Sequence, residues 1–166
     1  MNRTSETWKI TPELEKEFEE LKAFLDKKVH LSPIRTGNNL LLYTDASING
    51  LGYVLCQERK VILDEEEETI RDIIHLGSTS VTEVQACYSP VELECLAAQW
   101  ACEKCHYFLA DAPKINLFTD SSGLVGLRKK DLSETKNRRI QRILEKMVCY
   151  NIEAFYIPAK ENGIAD

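Results

Sequence analysis

The sequence predicts an α/β domain, in which helices cover a sheet that contains parallel strands. Two short apolar segments, 40–45 and 114–120, both end in Thr-Asp, and residues 90–109 between them carry apolar side chains at helical spacing. A right-handed crossover through that helix makes the two strands parallel, so both Thr-Asp pairs are expected at one edge of the sheet. Strand-like patterns also cover 51–57, 69–80 and 152–157.

Composition limits the classes of protein that fit. A chain of 166 residues, 43% hydrophobic and 29% charged, suits one globular domain with a short appendage. It has no apolar run of membrane-spanning length and no secretory signal at its start, so a soluble intracellular protein with six free cysteines is expected. The net charge of −6 argues against a nucleic-acid partner, but residues 128–146 hold eight basic and three acidic side chains, which allows a basic face.

The first element is an amphipathic helix, which we interpret as a packing element. Thr11-Pro12 is a helix start, and apolar residues recur at helical spacing to about residue 28. A loop rich in Ser, Pro, Gly and Asn follows it. We therefore place a lead-in helix and linker at 1–37 and the main domain at 38–166.

The first strand carries the first candidate site residue. Its continuous apolar run predicts a strand buried on both faces, and Asp45 stands at its carboxyl end before the Asn49-Gly50 turn. Ligand sites in open α/β sheets lie beyond the carboxyl ends of parallel strands. The alternative, in which Asp45 only caps a turn, stays open at this point.

A hairpin is expected after the first strand. Residues 51–57, extended by 61–63, form the second strand, and 69–80 form the third. Between them lie five consecutive acids, 64–68. Such a run usually stays in solvent, so we expect a disordered hairpin tip, with metal binding as the alternative.

Two glutamates compete for a functional role on the helix predicted at 90–109. At about 100° per residue, Glu94 shares a face with small residues suited to contact with a sheet, whereas Glu92 aligns with polar side chains. A carboxylate on an apolar face needs a cation or a donor. Glu94 is therefore the functional candidate, and Glu92 is expected in solvent.

Residues 102–106 have the spacing of a haem attachment site. We reject this site because these residues lie within a predicted helix, in a chain with no export signal.

The second Thr-Asp pair repeats the first arrangement. Asp120 ends its strand and precedes a helix at about 123–128. A further helix, 137–149, places Arg138, Arg142 and Lys146 four residues apart on one face, which fits either a solvated surface or phosphate contacts. The final strand leads through a loop to Asp166.

Four acids are thus candidate site residues: Asp45, Glu94, Asp120 and Asp166. The first three are expected to converge at one edge of the sheet. A carboxylate cluster without a His or Cys set is typical of Mg²⁺ sites. Two such ions can activate a water and stabilise the leaving oxygen in phosphodiester cleavage.

Ordered motifs run through nearly the whole chain. They are Tyr43-Thr44-Asp45-Ala46-Ser47 with 50–55, Tyr88-Ser89-Pro90 with Glu92 and Glu94, Phe118-Thr119-Asp120-Ser121, and the closing residues Tyr156, Pro158, Lys160, Asn162, Ala165 and Asp166. Together they resemble the ribonuclease H domain of gypsy-type LTR retrotransposon reverse transcriptases. The lead-in from Trp8 to Pro33 looks like the segment that joins polymerase and ribonuclease H in such elements.

The resemblance implies a ribonuclease H-like fold, a mixed five-stranded sheet flanked by helices, and cleavage of the RNA strand of RNA·DNA hybrids. It implies that the four acids bind two Mg²⁺ ions, with Mn²⁺ as a substitute. Nucleic-acid contacts are expected from Ser47, Ser121, Arg138, Arg142, Lys160 and Asn162. The implied partners are the hybrid and the polymerase domain of the same polyprotein, in a cytoplasmic virus-like particle.

Two other functions stay open. A degenerate copy would support a polymerase as a catalytically weak tether, although a tether has no need of four acids. A nuclease of the same fold could instead act on DNA. Ribonuclease H domains of this type normally continue past the last Asp into a helix, so we expect that helix to be missing here and the second metal ion to be held poorly.

Overall fold

The computed structural model describes residues 11–28, 31–63, 66–158 and 162, and the chain divides into two compact units, 1–30 and 31–166. The first unit contains helix α1, Pro12–Lys28, which confirms the helix predicted there. Proline occupies its first position, and the Thr11 hydroxyl accepts a hydrogen bond from the Leu14 backbone N–H at 3.3 Å.

The second unit is built on a five-stranded sheet. Its strands are β1 (Leu40–Ala46), β2 (Gly50–Leu63), β3 (Glu66–Ser80), β4 (Ile115–Thr119) and β5 (Ile152–Tyr156). They lie in the order β3-β2-β1-β4-β5. β2 is antiparallel to both β1 and β3, whereas β4 is parallel to both β1 and β5. The sheet is therefore mixed, as the resemblance implied, and β1 is its central strand.

Four α-helices lie in the described part of this unit: α2 (Pro90–Lys104), α3 (His106–Leu109), α4 (Ser122–Arg128) and α5 (Arg138–Glu145). The single helix predicted at 90–109 is interrupted at Cys105, whose ψ of 10° departs from helical geometry. The helix predicted at 137–149 ends earlier, and residues 146–149 form turns. Both differences are at helix ends, where sequence patterns are least informative.

The core explains the apolar run of the central strand. Leu40 and Leu42 face the layer formed by α2, α4 and α5, while Leu41 and Tyr43 contribute to a second cluster on the other side of the sheet. All four residues are buried. The prediction that this strand is buried on both faces is therefore confirmed.

The acidic hairpin differs from its prediction. Glu66, Glu67 and Glu68 belong to β3 and pair with the end of β2, so the disordered tip expected at 64–68 is wrong for these three residues. Residues 64 and 65 lie outside the described residues. The Lys60 Nζ lies 2.8 Å from the Glu67 Oε1, which offsets one of the negative charges. Because these carboxylates are exposed and stay hydrated, placing them in a strand lowers the stability of the fold only slightly.

The segment before β1 is attached to the sheet. Leu31 pairs with Ile73 of β3. The buried Gln57 side chain donates a hydrogen bond to the Pro33 carbonyl and accepts one from the Arg35 backbone N–H, both at 2.9 Å. These contacts join the linker assigned to 1–37 to β2 and β3, and the domain boundary stays a prediction. Within the described ranges, no helix is both long enough and apolar enough to cross a bilayer.

Candidate metal centre

β1 and β4 bring two carboxylates to the same edge of the sheet. The strands are parallel, with Tyr43 opposite Phe118. Asp45 and Asp120 therefore both stand two residues beyond the same pair of neighbouring positions. Thr119, which precedes Asp120, is fully buried and fixes the end of β4 in the core.

α2 contributes the third carboxylate from the helical layer. Glu94 lies on the side of α2 that carries Ala97, Ala98 and Ala101, all fully buried. Small side chains allow the helix to approach the sheet closely. Only 7% of Glu94 is exposed, which confirms that it faces the sheet rather than solvent.

The three carboxylates meet at one point. Asp45, Glu94 and Asp120 each contribute an oxygen, and these oxygens all lie within 4.8 Å of one another. Glu94 also accepts a hydrogen bond from the Thr119 hydroxyl at 3.3 Å and one from the Ala46 backbone N–H. The two aspartates are partly exposed, so the cluster is accessible from the aspartate side.

Burial and like charge make Glu94 difficult to ionise. Removal from water is the largest cause, and the negative charges of Asp120 and Asp45 add to it. These effects exceed those of the two hydrogen bonds that favour the carboxylate, and they raise the pKa of Glu94 to about 8. A positive charge between the three oxygens would remove this cost.

The cluster fits a hard divalent cation. Its three members are oxygen donors, the ligand type that Mg²⁺ and Mn²⁺ prefer. Asp45 also lines an open cavity of about 470 Å³. This cavity leaves space for the water and substrate oxygens that complete the coordination of such an ion.

The placement predicted for Glu92 is wrong. Glu92 is expected in solvent, but it is only 6% exposed. Its carboxylate accepts hydrogen bonds from the Ser89 backbone N–H (2.8 Å) and hydroxyl (2.9 Å), the Asn137 amide (3.0 Å) and the Arg139 guanidinium (2.8 Å). These donors, with the Ser89 backbone contributing most, lower the pKa of Glu92 to about 2.

This error has a physical reason. Helix α5 packs beside α2 and covers Glu92, and a helical wheel of one segment does not include a second helix. The spacing Ser89-x-x-Glu92 is nevertheless that of a capping box, in which the glutamate accepts from the backbone of the N-cap residue. The sequence did not predict a structural role for Arg139. Besides its bond to Glu92, its guanidinium lies 4.1 Å from the centre of the Tyr88 ring.

Two serines expected to contact nucleic acid have local structural roles. The Ser47 hydroxyl accepts hydrogen bonds from the Asn49 and Gly50 backbone N–H groups, both at 3.1 Å, and closes the turn between β1 and β2. The Ser121 hydroxyl accepts from the Leu124 N–H at 3.3 Å and caps α4. Both serines stand close in sequence to the aspartates, and their contacts with a substrate stay a prediction.

The remaining candidates lie near the end of the chain and on α5. Asn162 is 2% exposed, and its amide donates to the Thr44 carbonyl at 3.2 Å, which attaches this residue to β1. Lys160 and Asp166 lie outside the described residues, so a fourth acidic ligand stays a prediction. The exposed Arg138 and Arg142 on α5 and the exposed Lys146 fit either surface role proposed from the sequence.

Comparison with known proteins gives a family match and distant relatives. A family model described as "RNase H-like domain found in reverse transcriptase" matches residues 36–150. The chain is 32% identical over 125 residues to the "Retrovirus-related Pol polyprotein from transposon gypsy" of Drosophila melanogaster, a match that covers 75% of this chain. It spans only 11% of the length of that polyprotein.

Solved structures share the fold. The foamy viral protease-reverse transcriptase in complex with RNA/DNA hybrid matches with a TM-score of 0.60 at 18% identity, over 91% of this chain and 19% of that one. RNase H1 from the halophilic archaeon Halobacterium salinarum matches with a TM-score of 0.52 at 18% identity, over 77% of this chain and 92% of that one. The ribonuclease H-like fold inferred from the sequence is confirmed.

Proposed function

This chain belongs to the family of RNase H-like domains found in reverse transcriptase, and from that premise we propose that it is a metal-dependent endonuclease that cleaves the RNA strand of RNA·DNA hybrids. The observation that carries the proposal is the meeting of three carboxylate oxygens within 4.8 Å at the ends of β1 and β4. A domain that only tethered a polymerase would not need this arrangement, because a buried carboxylate beside two others costs stability.

The metal ligands that we assign are Asp45, Glu94, Asp120 and, as a predicted fourth, Asp166. When bound, two Mg²⁺ ions, or Mn²⁺ in their place, would activate a water and stabilise the leaving oxygen. The contribution of the protein is to position these groups. The register of β1 and β4 fixes the two aspartates, and α2 fixes Glu94, whose carboxylate accepts a hydrogen bond from Thr119.

The surroundings of Asp45 support an RNA strand as the substrate. The cavity beside it is lined by neutral hydrogen-bonding side chains from the β1–β2 turn and from the end of β3, namely Ser47, Asn49, Ser78, Thr79 and Ser80. Such groups suit ribose hydroxyls, the feature that distinguishes RNA from DNA. The polymerase domain of the same polyprotein is the proposed partner, since a relative is a Pol polyprotein. The intracellular location stays a prediction.

Incubation with labelled RNA·DNA, RNA·RNA and DNA·DNA duplexes, in Mg²⁺ or Mn²⁺, tests the proposal. We expect cleavage of the RNA strand of the hybrid. Asp45→Asn should reduce the rate by more than about 100-fold, because it removes a metal ligand. Asp111→Asn is the matched control and should keep the parental rate, since Asp111 is exposed in the turn before β4, at the other end of the parallel strands.

Each other outcome points to a different conclusion. Cleavage restricted to DNA·DNA would favour a DNA-acting nuclease of the same fold. A folded protein that cleaves none of the duplexes would favour the tether. Equal rates for Asp45→Asn and the parent would show that the activity does not come from this cluster.

A further inference from the structure

A groove runs along the contact between α2 and α5, separate from the carboxylate cluster. Two adjoining cavities of about 470 and 490 Å³ form it, and Gln99 and Lys146 line both. Tyr88 and Arg139 lie at one end, beside the start of α2, and Tyr107 lies at the other. The first end of the groove therefore lies near the amino-terminal part of α2, which also carries Glu94 of the carboxylate cluster.

The groove has an excess of positive charge. Arg142 and Lys146 line it and are exposed, and among the described residues neither pairs with a carboxylate. Two acids lie nearby: Glu92 is paired with Arg139 at 2.8 Å, and Glu103 lines the groove and accepts a hydrogen bond from the Gln99 amide at 3.0 Å. With Arg139, the groove still has three cations against these two carboxylates. Because the whole chain is acidic, with a net charge of −6, a local basic groove indicates a polyanionic ligand.

Aromatic side chains extend the groove beyond these cations. Tyr107 is 93% exposed, so its ring is available for stacking. Beside it, His106 and Tyr150 share a hydrogen bond of 2.8 Å between Nδ1 and Oη, and their rings pack edge to face. Exposed rings next to cations favour unpaired bases, because the bases of a duplex stack on one another and present no free face.

We propose that this groove binds single-stranded nucleic acid, with phosphates on Arg142 and Lys146 and a base stacked on Tyr107. The inference rests on the proposed function in one respect: removal of RNA from a hybrid leaves a DNA strand beside the carboxylates. The ion pair between Arg139 and Glu92 attaches the near end of the groove to the start of α2. The groove would thus retain the DNA strand after cleavage.

Fluorescence anisotropy with a labelled oligothymidylate of about 16 nucleotides, in a metal chelator and over a range of salt concentrations, tests the proposal. Arg142→Ala/Lys146→Ala should bind roughly tenfold more weakly at low salt. The slope of log K against log salt should fall by about 1.4, because each phosphate contact with a single strand contributes about 0.7.

Tyr107 separates stacking from charge. Tyr107→Ala should weaken binding by about tenfold without a change in salt slope, while Tyr107→Phe should bind as the parent does. Lys60→Ala/Arg71→Ala is the charge control. It removes the same charge from side chains of β2 and β3 that are 72% and 51% exposed, and it should bind with parental affinity.

Parental affinity and salt slope in Arg142→Ala/Lys146→Ala would overturn the proposal. So would a loss of binding to RNA·DNA duplex with unchanged binding to the oligothymidylate, because the groove would then contact duplex. The substituted side chains are exposed, and a parental unfolding temperature checks that the variants fold. The readout does not depend on cleavage: an inactive protein would contradict the proposed function, whereas unchanged binding would contradict this inference.

Discussion

The α2–α5 contact and the carboxylate cluster each bury one glutamate of α2, and the two environments are opposite. Glu92 accepts hydrogen bonds from backbone, hydroxyl, amide and guanidinium groups, and its pKa is lowered to about 2. Glu94, two residues later, faces two further carboxylates, and its pKa is raised to about 8. Both side chains are at most 7% exposed.

Burial alone therefore does not identify a functional carboxylate. The chemical groups that surround the carboxylate decide whether it is functional or structural. A buried acid with enough donors is part of the structure, and Glu92 holds two helices together. A buried acid among other acids indicates a positive partner that the protein binds from outside. The comparison can be tested because the same substitution, Glu to Gln, is available at both positions.

The largest expected effect is that of Glu94→Gln, which should act in opposite directions on activity and stability. Hybrid cleavage should fall by more than about 100-fold, because a metal ligand is lost. In a metal chelator near neutral pH, the free energy of unfolding should rise by about 1–3 kcal/mol. At this pH, below its folded pKa of about 8 and above its unfolded value, Glu94 must take up a proton when the chain folds, and a neutral amide does not carry this cost. Cleavage assays and urea unfolding measure the two effects.

Glu103→Gln is the matched control for stability. Glu103 is exposed on the same helix, so its substitution should change the free energy of unfolding by less than about 0.5 kcal/mol. If Glu94→Gln proved less stable than the parent, the burial of Glu94 beside Asp45 and Asp120 would not be a cost to the fold, and the contrast with Glu92 would fail.

The next effect in size is that of Glu92→Gln, which should destabilise the fold. The amide cannot accept the charge-assisted hydrogen bonds from Asn137 and Arg139 as a carboxylate does. We expect the free energy of unfolding to fall by about 1–2 kcal/mol, somewhat less than a fully buried charged bond would give, because Arg139 is half exposed. Urea unfolding beside Glu94→Gln should show changes of opposite sign.

A gain in stability on Glu92→Gln would contradict the distinction between the two glutamates. A large loss of cleavage with unchanged stability would also contradict it, since Glu92 would then act in the site rather than in the helix contact. Measured at saturating substrate, the rate of a folded Glu92→Gln should stay much closer to that of the parent than the rate of Glu94→Gln.

The sequence predicted the central strand, the two Thr-Asp strand ends and the sheet-facing side of α2, because each depends on a pattern within one segment. The handedness of the crossover predicts that Asp45 and Asp120 meet at one edge of the sheet, and the helix face predicts that Glu94 faces the sheet; the oxygens of all three do lie together. These are the parts of the site that local pattern and topology determine.

The sequence did not show what depends on contact between distant segments. Glu92 was misplaced because two of its donors, Asn137 and Arg139, follow more than forty residues later in the chain and lie on the helix that covers it. The strand pairing of Glu66 to Glu68 was missed because a run of acids has no strand pattern, although a backbone ladder with β2 is enough to hold it. In both cases the partner, rather than the residue itself, decides the environment.

The smallest expected effect is that of Asp72→Asn, at an ion pair that lacks the other donors of Glu92. The Arg59 guanidinium contacts both Asp72 oxygens, at 2.9 and 3.2 Å, but its side chain is 35% exposed. The hydrogen bond from Arg59 lowers the pKa of Asp72. The carboxylate therefore stabilises the fold above the pKa of about 3.9 that Asp has in an unfolded chain, and this stabilisation is lost as the pH falls through the lower folded value.

Asp72→Asn should consequently reduce the free energy of unfolding slightly near neutral pH, by clearly less than Glu92→Gln does, because Asp72 loses the hydrogen bonds of one guanidinium whereas Glu92 accepts from four donor groups. In acid, where the parental carboxyl is also neutral, the two proteins should unfold alike. Urea unfolding at neutral and acidic pH measures this difference. If the loss equalled that of Glu92→Gln, a single guanidinium would stabilise a carboxylate as well as the full set of donors around Glu92, and the number of donors would not explain why that glutamate belongs to the structure.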